Sequence, residues 1–269
     1  MAYKVLVLDI DGTLTNSKKE ITKETKKTLR AAQESGVVVV LASGRPTPGI
    51  EPIADELELD KFGGYILSFN GAVITDYQNK KIVYETVLPM EEVAKLYQSS
   101  KDHGVTIVSY KDGAIVTEDE QDQYVAIEAR INKMPIRKVD NFVAQFTEPV
   151  TKCLMVGDGE YLAGVEVKVR DQYGDRLNVY RSEPFFLEIM PQNIDKAYSL
   201  GKLLEHIGLT KEEMIACGDG FNDLSMIRYA GLGVAMGNAQ PVVKESADFI
   251  AATNDEDGVA QVVNQFILI

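Results

Sequence analysis

Val5-Leu6-Val7-Leu8 runs directly into Asp9-Ile10-Asp11-Gly12-Thr13. The apolar stretch 3–10 has the length of a strand, and two acids stand at alternate positions where it ends. A polar segment, 22–35, follows with Ile21, Leu29 and Ala32 at helical intervals, and Gly36 stops the helix. Val37-Val38-Val39-Val40-Leu41 is a second fully apolar run. Strands apolar on both sides belong to parallel sheets covered by helices, so the opening theme is strand, helix, strand of an α/β fold. Pro46 and Pro48 begin a helical segment that ends near Leu59; 65–69 reads as a third strand and Asn70-Gly71 as a turn.

From about Tyr84 the texture changes. One amphipathic helix, 91–103, is expected with short strands at 106–108, 114–116, 153–156, 165–169, 177–180 and 185–189. Alternation replaces the double-sided runs, which describes a mostly antiparallel sheet with one wet face. Residues 85–190 therefore read as an inserted α+β domain, and 1–84 with 191–269 as the α/β core. In the returning part, helices are expected at 195–206, 222–229 and 256–266, and strands at 214–217 and 233–236. The two outer segments are expected to form one sheet.

Composition narrows the function. With 45% hydrophobic and 26% charged residues the chain reads as soluble and globular, and a net charge of −13 disfavours nucleic acid and anionic membrane surfaces as partners. Two cysteines, Cys153 and Cys217, make no disulfide framework, which fits the cytoplasm. The start, Met1-Ala2-Tyr3-Lys4, leads into an apolar run too short for a signal-peptide core; no run approaches membrane-spanning length, and 266–269 reads as a terminal apolar patch. His103 and His206 are the only histidines, so the chemistry must run on carboxylates, lysine, hydroxyls or a hard metal.

Asp9 and Asp11 lie beyond the carboxyl end of a core strand, where open α/β sheets bind ligands. Gly218-Asp219-Gly220-Phe221-Asn222-Asp223 repeats the arrangement after another apolar strand, which places Asp219, Asn222 and Asp223 at the same sheet edge. Four carboxylates gathered there would repel one another unless a cation such as magnesium neutralised them. Each motif alone is also an ordinary acidic turn. Ser43-Gly44-Arg45-Pro46, entering a helix, offers a hydroxyl and backbone N–H groups to a phosphate, although serine is equally a routine helix cap. Lys196 opens a helix whose core face is Ala197, Leu200, Leu203, Leu204 and Ile207, and lies off that face. A cation at a helix N-terminus suggests a nearby anion.

In this order the four elements resemble the motifs of the haloacid dehalogenase superfamily of phosphotransferases, together with Gly231 to Asn238 (GLGVAMGN) and Glu256-Asp257-Gly258-Val259-Ala260. The short spacing from Asp11 to Ser43 and the long one from Ser43 to Lys196 are similar to those of the Cof-type sugar phosphatases, whose cap domain lies between the second and third motifs. The resemblance implies a Rossmann-like doubly wound core, an inserted cap that selects the substrate, and a magnesium-dependent phosphatase acting on a small phosphorylated metabolite. Asp9 would be the nucleophile, forming an aspartyl-phosphate, and Asp11 the general acid and then base. Asp9, the Asp11 carbonyl and Asp219 would bind Mg2+, with Asp223 in an outer shell. Ser43, Gly44, Lys196 and Asn222 would hold the phosphoryl oxygens, and Arg45, Asn70 and Gly71 would stand beside the substrate. Relatives often read Gly-Val-Ser/Asp-Lys-Gly where this chain has Asn193-Ile194-Asp195-Lys196-Ala197; Asn193 is the expected cap. No protein partner is implied. A phosphomutase, or a non-enzymatic metal-dependent phosphate-binding module, is the alternative.

Overall fold

A computed structural model describes residues 3–268. Met1 and Ala2, at the start whose apolar run reads as too short for a signal-peptide core, and Ile269, in the expected terminal apolar patch, lie outside them. The chain divides into two compact units, Met1–Tyr84 with Asp195–Ile269, and Glu85–Ile194. Residues 191–194 thus go with the inserted unit, where the sequence reading places them in the core.

In chain order the first unit begins β1 (Val5–Leu8), α1 (Lys23–Glu34), β2 (Val38–Ala42), α2 (Thr47–Glu56), α3 (Leu59–Phe62), β3 (Tyr65–Ser68), β4 (Val73–Asp76) and β5 (Lys81–Glu85). The inserted unit contains α4 (Met90–Asp102), β6 (Thr106–Lys111), β7 (Ala114–Thr117), α5 (Gln123–Asn132), β8 (Ile136–Lys138), β9 (Cys153–Val156), α6 (Gly159–Tyr173), β10 (Leu177–Glu183) and β11 (Phe186–Pro191). The first unit resumes with α7 (Lys196–Ile207), β12 (Met214–Gly218), α8 (Leu224–Tyr229), β13 (Leu232–Ala235), α9 (Pro241–Ser246), β14 (Phe249–Ile250) and α10 (Gly258–Phe266).

The core sheet runs β14-β13-β12-β1-β2-β3-β4-β5. Every pair from β14 to β3 is parallel, and β4 turns back antiparallel on β3. Alternate strand residues go to opposite cores. Leu6, Leu8, Val39, Leu41, Ile215 and Cys217 pack with Leu29 of α1, Ile50 of α2 and Val262 of α10. Val5, Val7, Val40, Ala42, Met214 and Ala216 pack with Leu200 and Leu203 of α7 and Met226 of α8. This two-sided burial is what makes the strands apolar throughout and the fold a doubly wound, Rossmann-like sheet.

The inserted sheet has the order β10-β11-β9-β6-β7-β8. It is antiparallel except for the parallel β7–β8 pair. The expected strand at 165–169 is instead the middle of α6. Val165-Glu166-Val167-Lys168-Val169 alternates like a strand, but Leu162, Val165, Val169 and Tyr173 are buried at helical spacing. Asp158 caps that helix, accepting from the N–H groups of Glu160 and Tyr161. The second sheet face is also drier than expected, because Val125 of α5 joins Val108, Ile115, Leu154, Val156 and Phe186 in a buried cluster.

Candidate active site

Parallel pairing puts the carboxyl ends of β1, β2, β3, β12 and β13 at one edge of the core sheet. Asp9 follows β1, and its N–H still extends the ladder to the Cys217 carbonyl at 3.0 Å. The chain then closes on itself, with Leu14 N–H donating to the Asp9 carbonyl and Thr15 N–H to that of Ile10. Gly12 makes this turn at φ +90°, and a Cβ there would lie 2.4 Å from Asp219 Oδ2. Only glycine satisfies both the dihedral and the contact.

Lys196 Nζ is the centre of the site. It donates to Asp9 Oδ1 at 2.8 Å, Asp223 Oδ1 at 2.6 Å and the Ala42 carbonyl at 3.0 Å, which uses all three ammonium donors. Its exposure is 1%, so the expectation of a lysine off the core face is corrected: the buried stripe is Lys196, Ser199, Leu200, Leu203 and Leu204. Ala197 and Ile207 are only half-buried. The helix cap is Asp195, which accepts from Tyr198 N–H at 3.1 Å, rather than Asn193.

Asp223 Oδ2 accepts from the N–H groups of Asp219 and Gly220 at 3.0 and 2.9 Å, and Asp219 Oδ1 accepts from Thr13 Oγ1 at 2.8 Å. Asp9, Asp219 and Asp223 each offer an oxygen within 4.8 Å of the others. Burial raises the Asp9 carboxyl well above the usual carboxylate range and Asp223 adds to this, against the opposing pull of Lys196. Burial also raises Asp219. For Lys196 burial acts downward, but Asp223 and Asp9 hold it above its ordinary value. Three carboxylates thus share one ammonium in a poorly solvated place. An all-oxygen set with excess negative charge fits a hard divalent cation.

Asp11 is not in that trio. Its carboxylate takes Arg45 Nε at 2.8 Å and Nη2 at 2.7 Å, and Lys19 Nζ at 2.8 Å. Burial alone would raise its pKa; Arg45 and Lys19 together hold it below the ordinary value. Nothing in Asn16-Ser17-Lys18-Lys19-Glu20 marks Lys19, which reads as a solvated turn residue. Its backbone at φ +62° brings it back to Asp11. Thr13 belongs to the first motif, yet only the fold reveals its bond to Asp219.

The turn after β3 ties these loops together. Phe69, Asn70 and Gly71 have φ of 52°, 55° and 105°, a left-handed run that costs most at the bulky Phe69. Phe69 N–H donates to the Arg45 carbonyl and Asn70 N–H to that of Ser43, at 3.0 and 2.9 Å. Asn70 Oδ1 accepts from Asn222 Nδ2 at 3.1 Å, and Ser199 Oγ donates to the Gly71 carbonyl at 2.6 Å. Ser43 Oγ accepts from Arg45 N–H, and a Cβ on Gly44 would meet the Asn70 amide at 3.2 Å. The structure therefore brings Asp9, Asp11, Ser43, Gly44, Arg45, Asn70, Gly71, Lys196, Asp219, Asn222 and Asp223 to one sheet edge.

Residues 6–263 match the family model of haloacid dehalogenase-like hydrolases. YxeH of Bacillus subtilis (strain 168), named as a phosphatase candidate, is 32% identical over 269 residues, covering 99% of each chain. A crystal structure of a haloacid dehalogenase-like hydrolase from Bacteroides thetaiotaomicron superposes with a TM-score of 0.94 at 54% identity, over 98% of this chain and 99% of that one. The sugar phosphatase BT4131, of HAD subclass IIB, has a TM-score of 0.80 at 26% identity, with 98% of each chain covered. The chain belongs to the haloacid dehalogenase-like hydrolase family. Within that family it is a phosphatase. Among the described residues no helix is long and apolar enough to cross a membrane.

Proposed function

We propose that the protein is a Mg2+-dependent phosphatase of small phosphorylated metabolites, sugar phosphates first among them, working through an aspartyl-phosphate on Asp9. The observation that carries this is the buried Lys196 ammonium bonded to both Asp9 and Asp223 beside an otherwise uncompensated acidic cluster. Asp9, the Asp11 carbonyl and Asp219 would hold Mg2+, with Asp223 behind them. When bound, the ion neutralises the gathered carboxylates and screens charge on the phosphoryl oxygens.

In the first step an Asp9 carboxylate oxygen forms a bond to phosphorus as the ester P–O bond breaks. The leaving oxygen takes its proton from Asp11. In the second step Asp11 accepts a proton from water, whose oxygen attacks phosphorus; the Asp9–phosphorus bond breaks and inorganic phosphate leaves. The ion pairs with Arg45 and Lys19 hold Asp11 as the carboxylate, the form that the second step requires. The first step requires the acid, so substrate has to loosen those pairs, and Arg45 is the partner best suited to turn to a phosphoryl oxygen. Ser43, Gly44, Lys196 and Asn222 hold the remaining phosphoryl oxygens, with Asn70 and Gly71 shaping that cradle. The inserted unit is assigned the choice of substrate, and the buried free thiols Cys153 and Cys217 favour a cytoplasmic location.

Hydrolysis of p-nitrophenyl phosphate should stop on chelation with EDTA and return with Mg2+. A rate indifferent to chelation would overturn the metal-dependent reading. Phosphate binding without any turnover would instead leave a binding module. Phosphate release from a panel of phosphorylated sugars, nucleotides and cofactors ranks the substrates.

A further inference from the structure

The loop after β13 has no part in the chemistry above, yet it touches both acid-bearing turns. Asn238 Nδ2 donates to the Gly12 carbonyl at 2.7 Å, and Asn238 Oδ1 accepts from Asn254 N–H at 3.0 Å. Asn254 Nδ2 in turn donates to the Thr15 carbonyl at 2.9 Å. Two side-chain amides thereby grip the two ends of the 12–15 turn. Between those ends, Thr13 Oγ1 reaches Asp219 Oδ1, and the Gly12 backbone stands hard against the same carboxylate. The loop holds the other turn as well: Met236 N–H donates to the Gly218 carbonyl and Gln240 N–H to the Asp219 carbonyl, both at 3.0 Å. Gly237 passes so close to the next segment that a Cβ would lie 2.9 Å from the Thr253 nitrogen.

We propose that Asn238, backed by Asn254, is a positioning residue that sets the divalent-cation affinity of the acidic cluster by fixing the 12–15 turn against Asp219. The proposal rests on the metal-dependent reading above. Its physical basis is that a carboxylate ligand is only as well aimed as the groups that hold it, and here the Thr13 hydroxyl is aimed by a turn whose carbonyls are fixed from outside. Asn238 is exposed, so removing its amide cuts two hydrogen bonds without opening the core.

The test is calorimetric titration of the metal-free protein with Mg2+. Asn238→Ala should bind about tenfold more weakly, within the range that outer-shell changes produce. Its metal-free melting temperature should stay within about 3 °C of wild type. Asn254→Ala should move affinity in the same direction by less, and the double variant should fall short of the sum, because both act on one turn. Unchanged Mg2+ affinity in Asn238→Ala overturns the proposal. If that variant melts well below wild type, Asn254→Ala decides by the same criterion, since it loses only the Thr15 contact. Asp219→Asn separates the two levels of inference. Mg2+ binding that survives this change removes the cation site itself; binding lost there but intact in Asn238→Ala removes only the role given to Asn238.

Discussion

Each unit of the molecule buries one lysine among carboxylates, and the two clusters are built to different ends. In the core, Lys196 is bonded to Asp9 and Asp223, with Asp219 close by and burial raising two of the three acids. In the inserted unit, Lys152 pairs with Glu188 at 2.8 Å. There Ser182 Oγ donates to Glu188 Oε1 at 2.8 Å, and the Tyr110 hydroxyl donates to Glu128. The inserted cluster meets its charge with hydroxyl donors. The core cluster sets three acids against one lysine, where the inserted cluster sets two, and leaves an excess of negative charge at the open edge of a sheet. Burial of a charged group alone therefore does not mark a reactive site; an unbalanced one at a strand's carboxyl end does.

The largest effect expected is that of Asp9→Asn. Turnover should drop by at least about 10^4-fold, because the nucleophile is gone. The metal-free melting temperature should hold or rise, since an amide relieves both the burial of a charge and the repulsion from Asp223 that raise the Asp9 pKa. A variant with full activity would take away the nucleophile and the contrast with it. Next come the two lysines. Lys196→Met should lower kcat by about 10^2- to 10^3-fold. Lys152→Met, which strands Glu188, should cost about 3 kcal/mol of stability in urea unfolding. Mg2+ should restore part of the melting temperature lost in Lys196→Met and none of that lost in Lys152→Met; equal behaviour would break the comparison.

The smallest effect lies in the inserted unit at Glu118, which takes Lys101 Nζ at 2.7 Å, Phe142 N–H at 2.9 Å and Tyr97 Oη at 2.9 Å. Burial acts upward on its pKa, but these partners hold it below the usual glutamate value. Its contribution to stability is therefore full above about pH 4.3 and is lost as the pH falls through the lower folded-state value. Because Glu118 is half-buried, Glu118→Gln should cost less than about 1 kcal/mol at neutral pH. Urea unfolding of the two proteins should converge in acid. A gap that widens instead would reverse the sign assigned to Glu118.

Much of the site could be read along the chain because its residues come in short blocks after apolar strands. DIDGT and GDGFND each declare a strand end, two acids and a turn within a few residues. Other contributions are invisible at that range. Lys19 reaches Asp11 only through a left-handed residue, and Asn238 reaches Gly12 across more than two hundred positions. In the inserted unit the alternating Val165, Val167 and Val169 imitate a strand, and the Asp158 cap with the buried stripe from Leu162 to Tyr173 decides for a helix.

By itself the sequence determined the doubly wound core, the existence of an insertion, and the acids that end β1 and β12. These follow from hydrophobic periodicity and local turn chemistry, which neighbouring residues express without help. Only the tertiary structure decided that Lys196 is buried between Asp9 and Asp223, that Asp11 is held apart by Arg45 and Lys19, and that Asn238 braces the first motif. Charge partners are chosen by distance in space, and nothing local to a lysine or an asparagine records which distant carbonyl or carboxylate the packed strands will bring beside it.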